Sequence, residues 1–496
     1  MGGALSDNAS ISGRPVMTTA ALDSVRQKLA AVGQEHLLTF CDRLGPDEVG
    51  ALVEQINAID LDALPALIER YVLSDQHFEI PGDLEPAPYY PRDPASPVRP
   101  WDRDAAAELG EKLIADGKVG CFTVAGGQGS RLGYDGPKGC YPAGVISGKP
   151  LFQIFAEGIL AASRAHARPI AWYIMTSPLN HDATVSFFRE HNFFGLCADD
   201  VMFFPQGTMP SFDKASGKIL LADRHTIATN PDGHGGALKA MVASGATADM
   251  KKRGIEHVSY FQVDNPHVRV LDPVFIGLHA GADDSSGEMS SKMLPKADAK
   301  EKVGVFCRSR GRTMVVEYSD LPDALACQTN PDGSLRFNAG SPAIHMLGVG
   351  FVEKLARDPE FALPYHRAVK KVPHVDLETG ERVEPTEPNA VKLERFVFDA
   401  IPLAASSIVL ETDRVEEFAP VKNKDGVDSI VTSKQLQTER AARWLEAAGV
   451  KVPRKPDGSP DCVIEIGPLT ATCAEELVAK RGAFPPEIER GASVVL

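Results

Sequence analysis

No two cysteines of this chain form a CxxC pair; the eight are scattered at 41, 121, 140, 197, 307, 327, 462 and 473. That spread supports no zinc site, and it suits a reducing cytoplasm better than a disulfide framework. No run approaches the roughly 20 apolar residues that a spanning helix needs, so no membrane partner is expected. The opening residues lack the apolar stretch of a secretory signal. "MGGALS" fits a loose myristoylation pattern at Gly2 with Ser6, but no basic cluster follows to supply a second anchor. Residues 1–17 read as disordered, or as upstream of a start at Met17. Positive charge is also short: 52 lysines and arginines stand against 67 acids, a formal net charge of −15. An acidic surface repels phosphate backbones, so nucleic acid is not an expected partner. A local basic pocket for a small anion is still allowed.

The rest of the composition is that of a globular protein, 43% hydrophobic and 24% charged, and 496 residues are too many for one core. Leu22, Val25 and Leu29, then Leu52, Ile56 and Ile59, recur at helical spacing. A proline-rich connector follows, "PGDLEPAPYYPRDPASPVRP". "WDRDAAAELGEKLIADGK" predicts a helix stopped by Gly117. From Val119, the short apolar runs "VGCFTVA", "PIAWYIMT" and "HVSYFQVDN" alternate with helical stretches, which predicts an α/β layer on a mixed, mainly parallel sheet. "GRTMVVEYSDL" adds a strand. After about Phe398 the pattern thins to low-density strands with proline and glycine. The expected division is a helical segment with its connector at 18–115, a central α/β domain at 116–400 and a small β-rich C-terminal domain at 401–496.

"TVAGGQGSRLGYDGPKGCYPAG", Thr123 to Gly144, packs seven glycines, Arg131 and Lys138 into 22 residues. Glycines permit positive φ and leave no Cβ to hold a ligand away. Their N–H groups can then point at phosphate oxygens, and a strand-loop-helix crossing is expected. A dinucleotide fingerprint requires GxGxxG, whereas Gly127, Gly129 and Gly133 give GxGxxxG. A Walker A loop is not matched either. The plain alternative is an irregular turn, but two cations in such a loop call for an anionic partner.

These residues, from Gly126-Gly127-Gln128-Gly129 through Arg131 to Pro137-Lys138-Gly139, resemble the signature of the eukaryotic-type UDP-sugar pyrophosphorylases, above all of the branch acting on N-acetylglucosamine 1-phosphate. "WYIMTSPLNHDATVSFFREHNFFGL", "PDGHGG", "VDNPHVRVLDPVFIG", "VGVFCRSRG", "VVEYSDL", "RFNAGSPAIH", "KLERFVFDAIPLA" and "FAPVKNKDGVDS" continue the likeness in order over roughly residues 100 to 430. The resemblance implies a Rossmann-like, GT-A-like nucleotidyltransferase domain. It implies that UTP and N-acetylglucosamine 1-phosphate give the UDP-sugar and pyrophosphate, by attack of the sugar phosphate on the α-phosphorus. That nucleophile is already ionised, so no general base is required and no Ser-His-Asp constellation is expected.

By the same resemblance, Arg131, Lys138 and Lys422 serve the phosphates. Ala125, Gly126, Gly127, Gln128, Gly129, Gln206, Gly233 and Asp264 serve the nucleotide, and Asp264 helps hold Mg²⁺ or Mn²⁺. One carboxylate is chemically sufficient, because Mg²⁺ keeps waters and takes substrate oxygens. His234, Gly304, Glu317, Asn338, Phe396 and Phe398 fall at sugar-contacting positions. Members using N-acetylhexosamine phosphates usually carry Asn where His234 stands, and members using glucose or broader sugar phosphates can carry "GHG", so glucose 1-phosphate stays open beside the N-acetylated sugar. Lys424 lies close to Lys422. Lys370 and Lys371 form a second basic pair, with a solvated helix end as the plain alternative.

Overall fold

A computed structural model describes residues 19–74, 79–358 and 362–496. The "MGGALS" pattern and the expected disorder of residues 1–17 lie outside the described residues. Contacts gather the chain into two units that are interleaved in sequence. The first holds residues 19–74, 208–232 and 365–394, and the second holds the remainder.

In the first unit, helices Thr19–Ala31 and Pro46–Asn57 form on the predicted stripes, with Val25, Leu29, Leu52 and Ile56 buried. Their apolar faces share a cluster with Phe212, Val391 and Leu393. Those three come from the antiparallel sheet of Phe212–Asp213, Ala390–Glu394 and His366–Lys370. The helices therefore complete their core with strands supplied by two later stretches of chain. Lys370 and Lys371 are exposed at the end of a strand, not at a helix end.

The second unit is built on an eleven-stranded mixed sheet. Its strands are β1 (Glu85–Pro86), β2 (Val119–Val124), β3 (Trp172–Thr176), β4 (Val201–Pro205), β5 (His257–Gln262), β6 (Met289–Pro295), β7 (Val305–Ser309), β8 (Arg312–Val316), β9 (Ala339–Gly340), β10 (His345–Gly348) and β11 (Val409–Glu411). They lie in the order β1-β7-β9-β6-β10-β5-β2-β3-β4, with β8 paired to β7 and β11 to β6. β5, β2, β3 and β4 form a parallel block. β10 runs antiparallel between β5 and β6.

The longer helices of this unit are α1 (Arg103–Ala115), α2 (Leu151–Ala165), α3 (His181–Glu190), α4 (Ala237–Ala243), α5 (Ala246–Arg253), α6 (Pro273–Gly281), α7 (Val349–Arg357) and α8 (Ile430–Ala447). Both faces of the parallel block are covered, which is why its strands read as continuous apolar runs. Alternate residues take opposite sides. Phe122, Tyr173 and Tyr260 pack with Leu238, Met250 and Val352 of α4, α5 and α7. Cys121, Trp172 and Phe261 pack with Phe155 of α2 and Ile276 of α6. Burying each such aromatic contributes about 1.5–3 kcal/mol. Asp102 caps α1 by accepting from Ala105 N–H at 2.9 Å. α1 then crosses α6 so closely that a Cβ on Gly110 would stand 1.8 Å from the Pro273 carbonyl oxygen.

Two expectations change here. The glycine stretch does not open an α-helix: Ser130–Leu132 is one 3-10 turn ended by Gly133 at φ +69°, and the next α-helix is α2. Gly133, Gly136 and Pro137 follow too closely for a longer helix to propagate. The C-terminal stretch is not β-rich either. Its largest element is the 18-residue α8, capped by Ser429 with Thr432, beside one parallel pair of three-residue strands, β12 (Val463–Glu465) and β13 (Ser493–Val495). The buried side of α8 includes Ala441 and Ala442 with Trp444 and Leu445, and alanines weaken a hydrophobic stripe. Among the described residues no helix is long and apolar enough to cross a membrane.

Candidate active site

Four segments of the parallel block end side by side. Gln262 pairs with Val124, Val124 with Met175, and Thr176 with Pro205. The chain just beyond those ends is Asp264 after β5, the glycine loop after β2, Ser177 to Asn180 after β3 and Gln206 after β4. The carboxyl edge of a parallel sheet is where open α/β folds bind ligands, because the strand ends and the turns after them converge there.

The glycine loop is held from behind. Ala125 N–H donates to the Met175 carbonyl at 2.7 Å, Gly129 N–H to Gly136 at 2.9 Å, and Lys138 N–H to Gly127 at 3.0 Å. Asn180 was not singled out from the sequence, yet its Nδ2 donates to both the Ala125 and Gly127 carbonyls, at 3.0 and 3.2 Å. Its position just before α3 was a legible cap signal; its reach back to residues 125–127 had no sequence signal. Ala125 and Gly129 have thus spent their N–H groups inside the protein. Those of Gly126, Gly127 and Gln128 donate to nothing among the described residues. Gln206 packs against Gly126 so tightly that a Cβ there would lie 2.7 Å from Gln206 Oε1.

Lys138 is 8% exposed, and its Nζ lies 3.6 Å from Asp264 Oδ2. The Asp264 carbonyl accepts Val421 N–H at 2.8 Å, which brings the Lys422 segment to the same strand end. Asn265 pins that segment: its Nδ2 donates to the Glu417 carbonyl at 2.7 Å and its Oδ1 accepts Ala419 N–H at 3.0 Å. Lys422 Nζ pairs with Asp428 Oδ2 at 3.1 Å. Arg131 and Lys424 are exposed. One carboxylate with strand-end geometry fits a Mg²⁺ that draws most of its ligands from substrate and water. No cluster of three or more metal-ligating side chains occurs among the described residues.

A second group of the sequence candidates meets on the antiparallel side of the sheet. Gly304 precedes β7, Glu317 follows β8 and Asn338 precedes β9; Val305 pairs with both Val316 and Gly340. A Cβ on Gly304 would lie 3.4 Å from Glu317 Oε1. The Tyr89 phenol is pushed up first by burial and then by the Glu411 charge, with Asn338 acting the other way. Tyr89 sits in the proline-rich connector and was missed from sequence. Gly233, at φ +85°, turns the chain into the 3-10 turn that leads to α4. His234 stacks on Phe396 at 5.1 Å and 12°, and its Nδ1 accepts Val397 N–H at 3.1 Å. Phe398 lies 5.1 Å from Phe396 and is buried. Gly235 is obligatory beneath them, since a Cβ would strike the Arg395–Phe396 backbone at 2.7 Å.

A cavity of about 320 Å³ elsewhere in this unit is lined by Arg269, Asp272, Glu417, Arg440 and their neighbours, and by no residue of the glycine loop. Lys292, beside it, bridges two of its carboxylates, Asp272 and Glu417, at 2.6 and 2.5 Å; Arg269 pairs with Asp272 at 3.3 Å, and its buried Nε has no hydrogen-bond partner among the described residues. It reads as a buried ion-pair network behind the strand ends.

A sequence profile of the family described as UTP--glucose-1-phosphate uridylyltransferase matches residues 103–448. The chain is 37% identical over 482 residues to UDP-N-acetylglucosamine diphosphorylase 2 of Arabidopsis thaliana, covering 93% of this chain and 92% of that one. It is 38% identical over 487 residues to UDP-N-acetylhexosamine pyrophosphorylase-like protein 1 of Homo sapiens, covering 92% and 94%. The crystal structure of the uridine diphosphate N-acetylglucosamine pyrophosphorylase of Trypanosoma brucei superposes with a TM-score of 0.77 at 26% identity, covering 97% of this chain and 99% of that one. Likeness that runs nearly the full length of both partners reflects shared descent rather than one convergent loop: the chain belongs to the UTP--glucose-1-phosphate uridylyltransferase family and is a nucleotidyltransferase.

Proposed function

We propose that the protein joins UTP and N-acetylglucosamine 1-phosphate, giving UDP-N-acetylglucosamine and pyrophosphate. The observation that carries the reading is the set of open N–H donors at Gly126, Gly127 and Gln128, set beside Lys138 and Asp264 at adjacent parallel strand ends. An oxygen of the sugar phosphate forms a bond to the α-phosphorus. The bond from that phosphorus to the bridging oxygen breaks, and its electron pair leaves on pyrophosphate. Such a step requires two polyanions to be aligned and charge on the leaving group to be stabilised. The loop donors hold the triphosphate and Lys138 offsets its charge. Lys422 approaches from the segment beside Asp264, releasing Asp428 as substrate enters. Mg²⁺, held by Asp264 and phosphate oxygens, would add positive charge across the phosphates when bound.

Gln206 and Gly233 are assigned to uracil. His234, Phe396, Phe398, Gly304, Glu317 and Asn338 are assigned to the sugar. The relatives' names favour the N-acetylated sugar. Eight free cysteines suit a reducing, cytoplasmic setting.

The test is pyrophosphate release from UTP with N-acetylglucosamine 1-phosphate and with glucose 1-phosphate, each with Mg²⁺, with Mn²⁺ and with chelator. Release should be greatest with the N-acetylated sugar and should need metal. Release with neither sugar overturns the reading, and preference for glucose 1-phosphate overturns its sugar assignment.

A further inference from the structure

The loop Val421 to Ser429 carries two lysines in different states. Lys422 is latched to Asp428 through its amine at 3.1 Å and its N–H at 2.7 Å. Its Nζ also lies 5.5 Å over the Phe418 ring. Asn423 Nδ2 closes the loop onto the Val427 carbonyl at 2.9 Å, and Asp428 holds φ +54° to make both contacts. The loop is thus cross-braced, and Lys424 projects from its tip.

Lys424 is exposed and has no ion-pair or hydrogen-bond partner among the described residues. Its stem passes the glycine loop: a Cβ on Gly133 would meet Lys424 Cδ at 4.0 Å. Gly133 ends the turn that carries Arg131, which likewise has no carboxylate partner among the described residues. Lys138 and Lys422, by contrast, each already face a carboxylate.

We infer that Lys424 is a further phosphate-binding residue, which with Arg131 receives the β- and γ-phosphates of UTP and retains them as pyrophosphate. The inference rests on the uridylyl transfer proposed above. Charge grows on the leaving pyrophosphate as the bond to the α-phosphorus breaks. A cation with no resident counter-ion has no bond to surrender before stabilising that charge. Lys424 is too exposed to exclude water, so its contribution is to hold the far end of the tail rather than the reacting phosphorus.

The experiment is steady-state kinetics in both directions for wild type, Lys424→Ala and Lys424→Arg, with pyrophosphate binding measured directly by calorimetry. Lys424→Ala should weaken pyrophosphate binding and lower kcat/KM for UTP by about tenfold each. KM for the sugar 1-phosphate should hold, and Lys424→Arg should recover most of the loss. An unchanged pyrophosphate affinity in an active Lys424→Ala enzyme overturns the inference and leaves the reaction standing. An equal loss for sugar phosphate and pyrophosphate also overturns it. A wild type that releases no pyrophosphate overturns the underlying reading instead.

Discussion

Lys138 and Asp264 face each other at 3.6 Å with little solvent between them, so each is the other's nearest compensation. Replacing either by Ala should lower kcat by about a hundredfold or more, if both act on developing charge. A change confined to KM, measured by initial rates, would show that only ground-state binding was touched. Gly126→Ala puts a methyl group 2.7 Å from Gln206 Oε1, so the amide must move. The expected result is a raised KM for UTP with the fold intact, checked by kinetics beside a thermal melt. The residue types were legible in the sequence because glycines, a lysine and an arginine in one short stretch advertise anion binding. Which glycines still have N–H groups to offer was not legible, since Ala125 and Gly129 spend theirs on Met175 and Gly136.

At the level of elements, the strand ends decide the site. β5, β2, β3 and β4 deliver Asp264, the glycine loop, Asn180 and Gln206 to one edge. Asn180→Ala should remove both supports and leave the buried Ala125 carbonyl without its side-chain donor, while the Gly127 carbonyl keeps the Lys138 N–H. A stability loss of about 1–3 kcal/mol is expected by urea denaturation, together with weaker UTP binding. α8 shows a long-range brace that nothing local announced. Its Gln437 donates to the Ala143 carbonyl at 3.1 Å and its Ser433 to the Ala419 carbonyl at 2.6 Å. One helix thus touches the segments that follow Lys138 and precede Lys422. Glu465 of β12 adds to the brace by accepting N–H groups from Ile146 and Ser147 at 2.7 and 2.8 Å. Burial raises the Glu465 pKa, but the Ser147 and Ile146 hydrogen bonds outweigh it and hold the carboxylate below its usual range. Glu465→Ala should lower the thermal midpoint and raise KM for UTP; an unmoved midpoint would mean that the brace carries no load.

For the whole molecule, buried histidines set the acid response. His279 and His345 are pushed down to about 3, and His267 well below its ordinary value, chiefly by burial. His279 meets Ser290 Oγ at 2.8 Å and His257 at 3.1 Å, and His345 meets Ser291 Oγ at 2.8 Å. Between about pH 3 and 6.5 the unfolded chain binds protons at His279 and His345 that the folded chain refuses, and His267 acts in the same direction below its ordinary value. Stability should therefore be full above about pH 6.5 and fall as pH drops, by up to about 1.4 kcal/mol per unit for each histidine. Urea midpoints compared at about pH 7 and about pH 5 check this, and equal midpoints would contradict it.

What the chain alone determined was local: the helical stripes, the buried strands, the phosphate-seeking loop and the family likeness carried by motif order. Each stripe, strand and motif is written within a few residues, because backbone preference, periodicity and side-chain chemistry act over short spans; only the order of the motifs runs along the chain. The tertiary structure decided which segments share a core and which donors remain open. It interleaved two units along one chain, built a helix where the tail reads as weak strands, and freed three N–H groups of the loop while engaging their neighbours. Those outcomes depend on contacts between residues far apart in sequence, where burial and hydrogen-bond competition, rather than local pattern, set the free energy.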